Sequence, residues 1–175
     1  LAPLRKIHSH KKVREIWEDN IFPTLRRLKR GPKEFPLINV CYTNKYKDKE
    51  NIAMNKRMYN LCIEKNLPTY GTTETEDTTW YLHSDQPFIC QENLKVLDLY
   101  NGQRFRLLDY DEERGARLHR FSDNEVKIVA PAVFRTNFDL GYFLTNHKII
   151  GETFKEPFCI HQTEHPAVDR KWLYT

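Results

Sequence analysis

Threonine, asparagine, histidine and lysine gather at two places in this chain. The stretch "FLTNHKIIGETF", residues 143–154, carries Thr145, His147 and Lys148, followed by Gly151, Glu152 and Thr153. The stretch "INVCYTNK", residues 38–45, ends on Thr43, Asn44 and Lys45. Hydroxyls, backbone N–H groups, an imidazole and an ammonium at the exit of an apolar run form a donor set suited to phosphate contacts. Such contacts position a nucleic acid without reading its sequence. The order of Thr145, His147, Lys148 and Gly151 looks like that of a phosphate-handling turn. The other reading of the cluster is a capped strand-to-helix turn with a solvated lysine.

"HQTEH", residues 161–165, matches the H-x-x-E-H pattern of inverted zinc proteases, in which a helix holds both histidines on one face. Here the strand-like run "PFCI" leads straight into His161 and Pro166 follows His165, so no helix is expected and no metal site is assigned. Neither G-x-x-x-x-G-K-(S/T) nor G-x-G-x-x-G occurs, which excludes a self-sufficient nucleotide hydrolase of the P-loop kind. Cys41, Cys62, Cys90 and Cys159 form no Cys-x-x-Cys pair. Reduced, mostly buried thiols in an intracellular compartment are expected.

The elements that must position these residues follow from hydrophobic periodicity. Val13, Ile16, Trp17 and Ile21 recur at helical spacing with Ser9 as N-cap, and "TLRRLKRG" predicts a short basic helix stopped by Gly31-Pro32. "PLINVCYT" (36–43) reads as a buried strand feeding a long helix with Ile52, Tyr59, Cys62 and Ile63 on its inward face. Residues 69–79 read as an exposed loop or a small two-stranded excursion. From Pro87 to Phe138 short strands alternate with turns, Asn101-Gly102 being the strongest turn signal, which predicts a small β-barrel inserted into an α/β frame. "FDLGYFLT" is then a strand, "NHKIIGETF" a turn with a short helix, "PFCIHQ" a strand, and "RKWLYT" the start of a further element. The expected organisation is a helical entry segment (1–35), a first α/β part with an exposed loop (36–86), the β-rich insertion (87–137) and a second α/β part (138–175). In an open α/β sheet, ligands bind beyond the carboxyl ends of the strands, where both threonine-ending strands place their polar residues.

Hydrophobic residues make up 39% of the chain and charged ones 30%, which fits a packed domain with a solvated surface. No apolar run is long enough to cross a membrane, and the N-terminus lacks a signal-peptide pattern. A location in the nucleus or cytoplasm is expected, without secretion. The chain starts at Leu1 rather than methionine, so a fragment of a longer protein is expected. Residues 1–65 hold 16 Lys/Arg against 7 Asp/Glu, a net +9, whereas residues 66–175 are net −5. The basic clusters suit a polyanionic partner or a set of solvated helix faces.

Taken in order, four features resemble the second RecA-like domain of superfamily I DNA helicases of the RecD-like kind, closest to the petite-integration-frequency branch of eukaryotes and large DNA viruses. They are a strand ending in Thr43-Asn44, the Asn101-Gly102 turn opening a Src-homology-3-like barrel, a T-x-H-K-x-Q-G-x-T motif matched by Thr145, His147, Lys148, Gly151 and Thr153, and the terminal Leu173-Tyr174-Thr175. Ile150 stands at the motif's glutamine position, and the motif arginine after the last threonine is not in the chain.

The resemblance implies a RecA-like parallel sheet with flanking helices and the inserted barrel, forming the C-terminal motor lobe of an ATP-dependent helicase in DNA replication or repair. Single-stranded DNA, with RNA not excluded, would be gripped by Thr43, Asn44, Lys45, Thr145, His147 and Lys148. Gly151, Glu152 and Thr153 would face the ATP cleft. ATP and Mg²⁺ would be bound mainly by a first lobe outside this chain, so that the chain alone would not hydrolyse ATP. Replication partners such as a primase and a viral replication site are further expectations. The alternative is a degenerate lobe kept as a nucleic-acid or partner-protein binding module, which Ile150 favours.

Overall fold

The computed structural model describes residues 38–149 and 158–168. The helices expected before residue 36, the residues Ile150, Gly151, Glu152 and Thr153, and the element expected from Arg170 lie outside the described residues. The architecture is mixed α/β, with a parallel and an antiparallel sheet.

The apolar run before Thr43 forms β1 (Ile38–Cys41), the middle strand of a three-stranded parallel sheet. On one side lies β9 (Phe143–Thr145), with Cys41 opposite Thr145. On the other lies β10 (Phe158–Ile160), with Val40 opposite Ile160. All three strands therefore leave the sheet at the same edge.

Helix α1 (Asn44–Glu64) follows β1 directly. Thr43 has extended backbone (φ −104°, ψ 143°) and its hydroxyl accepts from the Tyr46 N–H at 3.3 Å, which makes it the N-cap. At the other end Asn66 is left-handed (φ 53°), while the N–H groups of Asn66 and Leu67 return to the carbonyls of Ile63 and Cys62. This is a Schellman ending, with Pro68 barring continuation.

The inward face of α1 differs from the expected one. Asn51, Met54, Asn55, Met58 and Cys62 are buried, whereas Ile52 and Ile63 are 45% and 54% exposed. The reason is polar. Asn51 donates to the Phe143 carbonyl at 3.1 Å and accepts from its N–H at 2.8 Å. One turn later, Asn55 does the same with Tyr81, at 2.8 and 2.9 Å. Each amide imitates the edge of a neighbouring strand, so two residues that a hydrophobic pattern discards turn the helix inward.

Residues 69–83 form a two-stranded antiparallel hairpin, β2 (Thr69–Glu74) and β3 (Thr79–His83). Next come β4 (Pro87–Cys90), β5 (Arg104–Asp111), β6 (Gly115–Arg120), β7 (Val126–Val129), helix α2 (Pro131–Asn137) and β8 (Phe138–Leu140). The strands form a five-stranded antiparallel sheet ordered β7-β6-β5-β4-β8. Phe134 of α2 is fully buried against the rings of Trp80, Phe88, Tyr110 and Phe138. Burying a side chain of this size contributes about 2–3 kcal/mol.

"FDLGYFLT" is two strands rather than one. β8 pairs antiparallel with β4, and after Gly141 and Tyr142 the chain enters the parallel sheet as β9. Gly141 crosses β4 closely, its N–H donating to the Pro87 carbonyl, and a Cβ there would stand 3.2 Å from the Phe88 backbone. One apolar run thus ties the two sheets together. A short helix, α3 (Asn146–Ile149), follows β9. No described helix is long and apolar enough to cross a membrane.

Candidate nucleic-acid interface

The parallel register places Thr43-Asn44-Lys45 and Thr145-Asn146-His147-Lys148 at adjoining strand exits. Asn44 and Lys45 are exposed in the first turn of α1, where the helix dipole favours negative charge. Thr145 is 6% exposed at the end of β9, His147 is exposed, and Lys148 is half-buried. Gly151, Glu152 and Thr153 lie outside the described residues, so no geometry is assigned to them.

Lys148 is held from the antiparallel sheet's side. Its Nζ donates to Asn101 Oδ1 at 2.5 Å, and the Asn101 N–H donates to Asn93 Oδ1 at 2.9 Å. Burial first, and then the nearby Lys47 ammonium, hold the Lys148 pKa below the usual lysine value. Burial alone would also lower Lys47, but Asp139, hydrogen-bonded at 2.8 Å, and Asp48 outweigh it and leave Lys47 raised. Lys47 is therefore already neutralised by carboxylates, whereas the hydrogen-bond partner of Lys148 among the described residues is a neutral amide. An anion arriving at this edge would favour the charged form of Lys148.

Sequence reasoning missed Gln162. The third strand leads through buried His161 to Gln162, whose backbone is left-handed (φ 59°). Its Oε1 accepts from the N–H groups of Tyr42 and Thr43, both at 3.0 Å, and its Nε2 donates to the Thr43 hydroxyl at 3.2 Å. One side chain thus fixes the β1–α1 turn and orients the Thr43 hydroxyl. The only signal in the sequence is a polar pair, His161-Gln162, ending an apolar run, the same pattern that drew attention to the other two strands.

Around "HQTEH" the chain is irregular rather than helical. His161 Nε2 lies 2.9 Å from Asn39 Oδ1 and Nδ1 lies 3.5 Å from the Tyr46 hydroxyl. His165 packs on the Tyr42 ring and its Nδ1 accepts from the Ala167 N–H. Both histidines serve the fold beneath and beside the β1 exit.

No family model matches the chain, and no curated protein matches it in sequence. Among solved structures it is similar to helicases. Unliganded Pif1 from Bacteroides sp shares 13% identity at a TM-score of 0.46, covering 75% of this chain and 48% of that one. Bacteroides Pif1 bound to ssDNA shares 14% identity at 0.45, covering 87% and 43%. The two coordinating Pif1 helicases described for unwinding of forked dsDNA share 16% at 0.47, covering 79% and 35%. The chain spans roughly a third to a half of the length of these proteins. With TM-scores below 0.5, what the strand-exit edge does has to be read from its own residues.

Proposed function

We propose that the chain is the C-terminal motor lobe of a DNA helicase, a RecA-like unit carrying a Src-homology-3-like insertion, and that its strand-exit edge grips single-stranded DNA. The observation that carries this reading is the meeting of Thr43-Asn44-Lys45 with Thr145, His147 and Lys148 at the carboxyl ends of two paired parallel strands. The first turn of α1 offers backbone N–H groups and Lys45, His147 and Lys148 add side-chain donors, while the Thr43 hydroxyl, held by Gln162, and the nearly buried Thr145 shape the turns that carry them. Such a set holds a sugar–phosphate backbone and leaves the bases unread.

ATP and Mg²⁺ are assigned to a first lobe outside this chain. No P-loop motif occurs in the sequence. Gly151, Glu152 and Thr153 would complete the cleft from this side. Ile150, which replaces a glutamine in the motif, favours a second reading in which the lobe grips the strand but couples weakly to nucleotide.

The test is fluorescence anisotropy of a labelled single-stranded oligonucleotide over a range of salt concentrations. Binding should weaken linearly in log–log form, and Lys148→Ala should reduce the slope by about 0.7, the loss of one phosphate contact. A slope unchanged in the variant, or binding insensitive to salt, would overturn the assignment.

A further inference from the structure

The connection from β4 to β5 is clamped at every turn yet carries three apolar side chains into solvent. Val96 is 100% exposed, Tyr100 41% and Leu97 40%. Leu94 and Leu99 bridge across the loop, and Leu99 is fully buried as its anchor. Asp98, left-handed at φ 53°, gives both its carbonyl and its carboxylate to Arg120, at 2.8 and 2.9 Å, and its carboxylate also takes Lys127 at 3.1 Å. Gln103 closes the next turn, its side chain accepting from the Tyr100 N–H at 2.9 Å and its N–H donating to the Tyr100 carbonyl at 3.1 Å. An apolar group exposed on a mobile loop needs no explanation. Three of them within five residues of one hydrogen-bonded loop make that loop a candidate contact surface.

Tyr100 immediately precedes Asn101, the residue whose Oδ1 holds the Lys148 ammonium. The ring is therefore carried by the residue next to the one that holds the cation, Lys95 lies in the same loop, and His147 adjoins Lys148. Surfaces that bind single strands combine a cationic track for the backbone with aromatic rings on which bases stack. We infer that Tyr100 is a stacking platform for an unpaired nucleobase whose phosphate is held at Lys148, with Leu97 and Val96 extending the apolar surface. The inference rests on the reading of the strand-exit edge as a phosphate grip and adds the base-side half of the site. Lys148 beside the ring's neighbour and Lys95 in the loop suit a phosphate backbone rather than an apolar peptide, since the loop's Asp98 carboxylate is already paired with Arg120 and Lys127.

The test compares an oligothymidylate with the same backbone carrying abasic sites, for the wild-type chain, Tyr100→Ala and Tyr100→Trp, at several salt concentrations. The wild type should favour the base-bearing strand about tenfold. Tyr100→Ala should abolish that preference with the salt slope unchanged, and Tyr100→Trp should keep it. Salt-dependent binding without a base preference, or a preference that survives Tyr100→Ala, overturns the platform and leaves the phosphate grip standing. Loss of binding to both strands alike in Tyr100→Ala makes Tyr100 a folding residue and also overturns it. Failure of the wild type to bind either strand removes the grip and the platform together.

Discussion

Lowering the pH should loosen the anchor of β9 through His83. This imidazole is 2% exposed, with Nδ1 2.8 Å from the Ser84 carbonyl and Nε2 2.6 Å from the Tyr142 hydroxyl. Nδ1–H donates to the carbonyl, so Nε2 accepts the Tyr142 proton. A proton added at Nε2 would face that donor, in a site with no water to solvate the charge. Burial accordingly pushes the His83 pKa from 6.5 down to about 4, against a weaker opposing effect of the Ser84 hydrogen bond. The unfolded chain takes up the proton near pH 6.5 and the folded chain only near pH 4. His83 therefore contributes its full stabilisation above about pH 6.5, and loses it as the pH falls toward 4. The span corresponds to roughly 3 kcal/mol. Urea unfolding between pH 7.5 and 4.5 reads this as a falling midpoint, and His83→Gln should flatten the part of the fall between pH 6.5 and 5, above the range of ordinary carboxylates. A midpoint constant from pH 7 to 5 in the wild type, or an equal fall in His83→Gln, would refute the reasoning. Tyr142 directly precedes β9, so the acid effect should reach the Thr145 exit as well as global stability.

Asn51→Ala strips both hydrogen bonds from the Phe143 backbone and leaves a buried N–H and C=O without their partner; a loss of about 2–4 kcal/mol in urea unfolding is expected. Gly115→Ala places a Cβ 2.0 Å from the Val129 carbonyl oxygen at a backbone φ of +92°, so it should cost more than about 2 kcal/mol or displace β7, read as a lowered melting temperature.

The strand exits were legible because an apolar run ending abruptly in polar residues is a local signal, and Thr43, Thr145 and the Asn101-Gly102 turn all carry it. Helix α1 was legible as a helix but not in its rotation. Asn51 and Asn55 are buried to serve the backbones of β9 and β3, and no hydrophobic pattern registers that demand. The division of "FDLGYFLT" depends on how closely Gly141 passes β4, a tertiary constraint on an otherwise continuous apolar run. Gln162 was missed because its role depends on a left-handed backbone and on partners some 120 positions earlier in the chain. The clamp on the Tyr100 loop depends likewise on Arg120 and Lys127, which sequence presents as ordinary surface charges.

The most direct test of the central claim is photo-crosslinking of single-stranded DNA carrying 5-iododeoxyuridine to the chain, followed by mass-spectrometric assignment of the modified peptides. The account predicts adducts concentrated in the peptides that hold Tyr42–Lys45, Tyr100 and Asn146–Lys148. Adducts confined to the β2–β3 hairpin or the β6–β7 edge, with none at the strand exits, would contradict it.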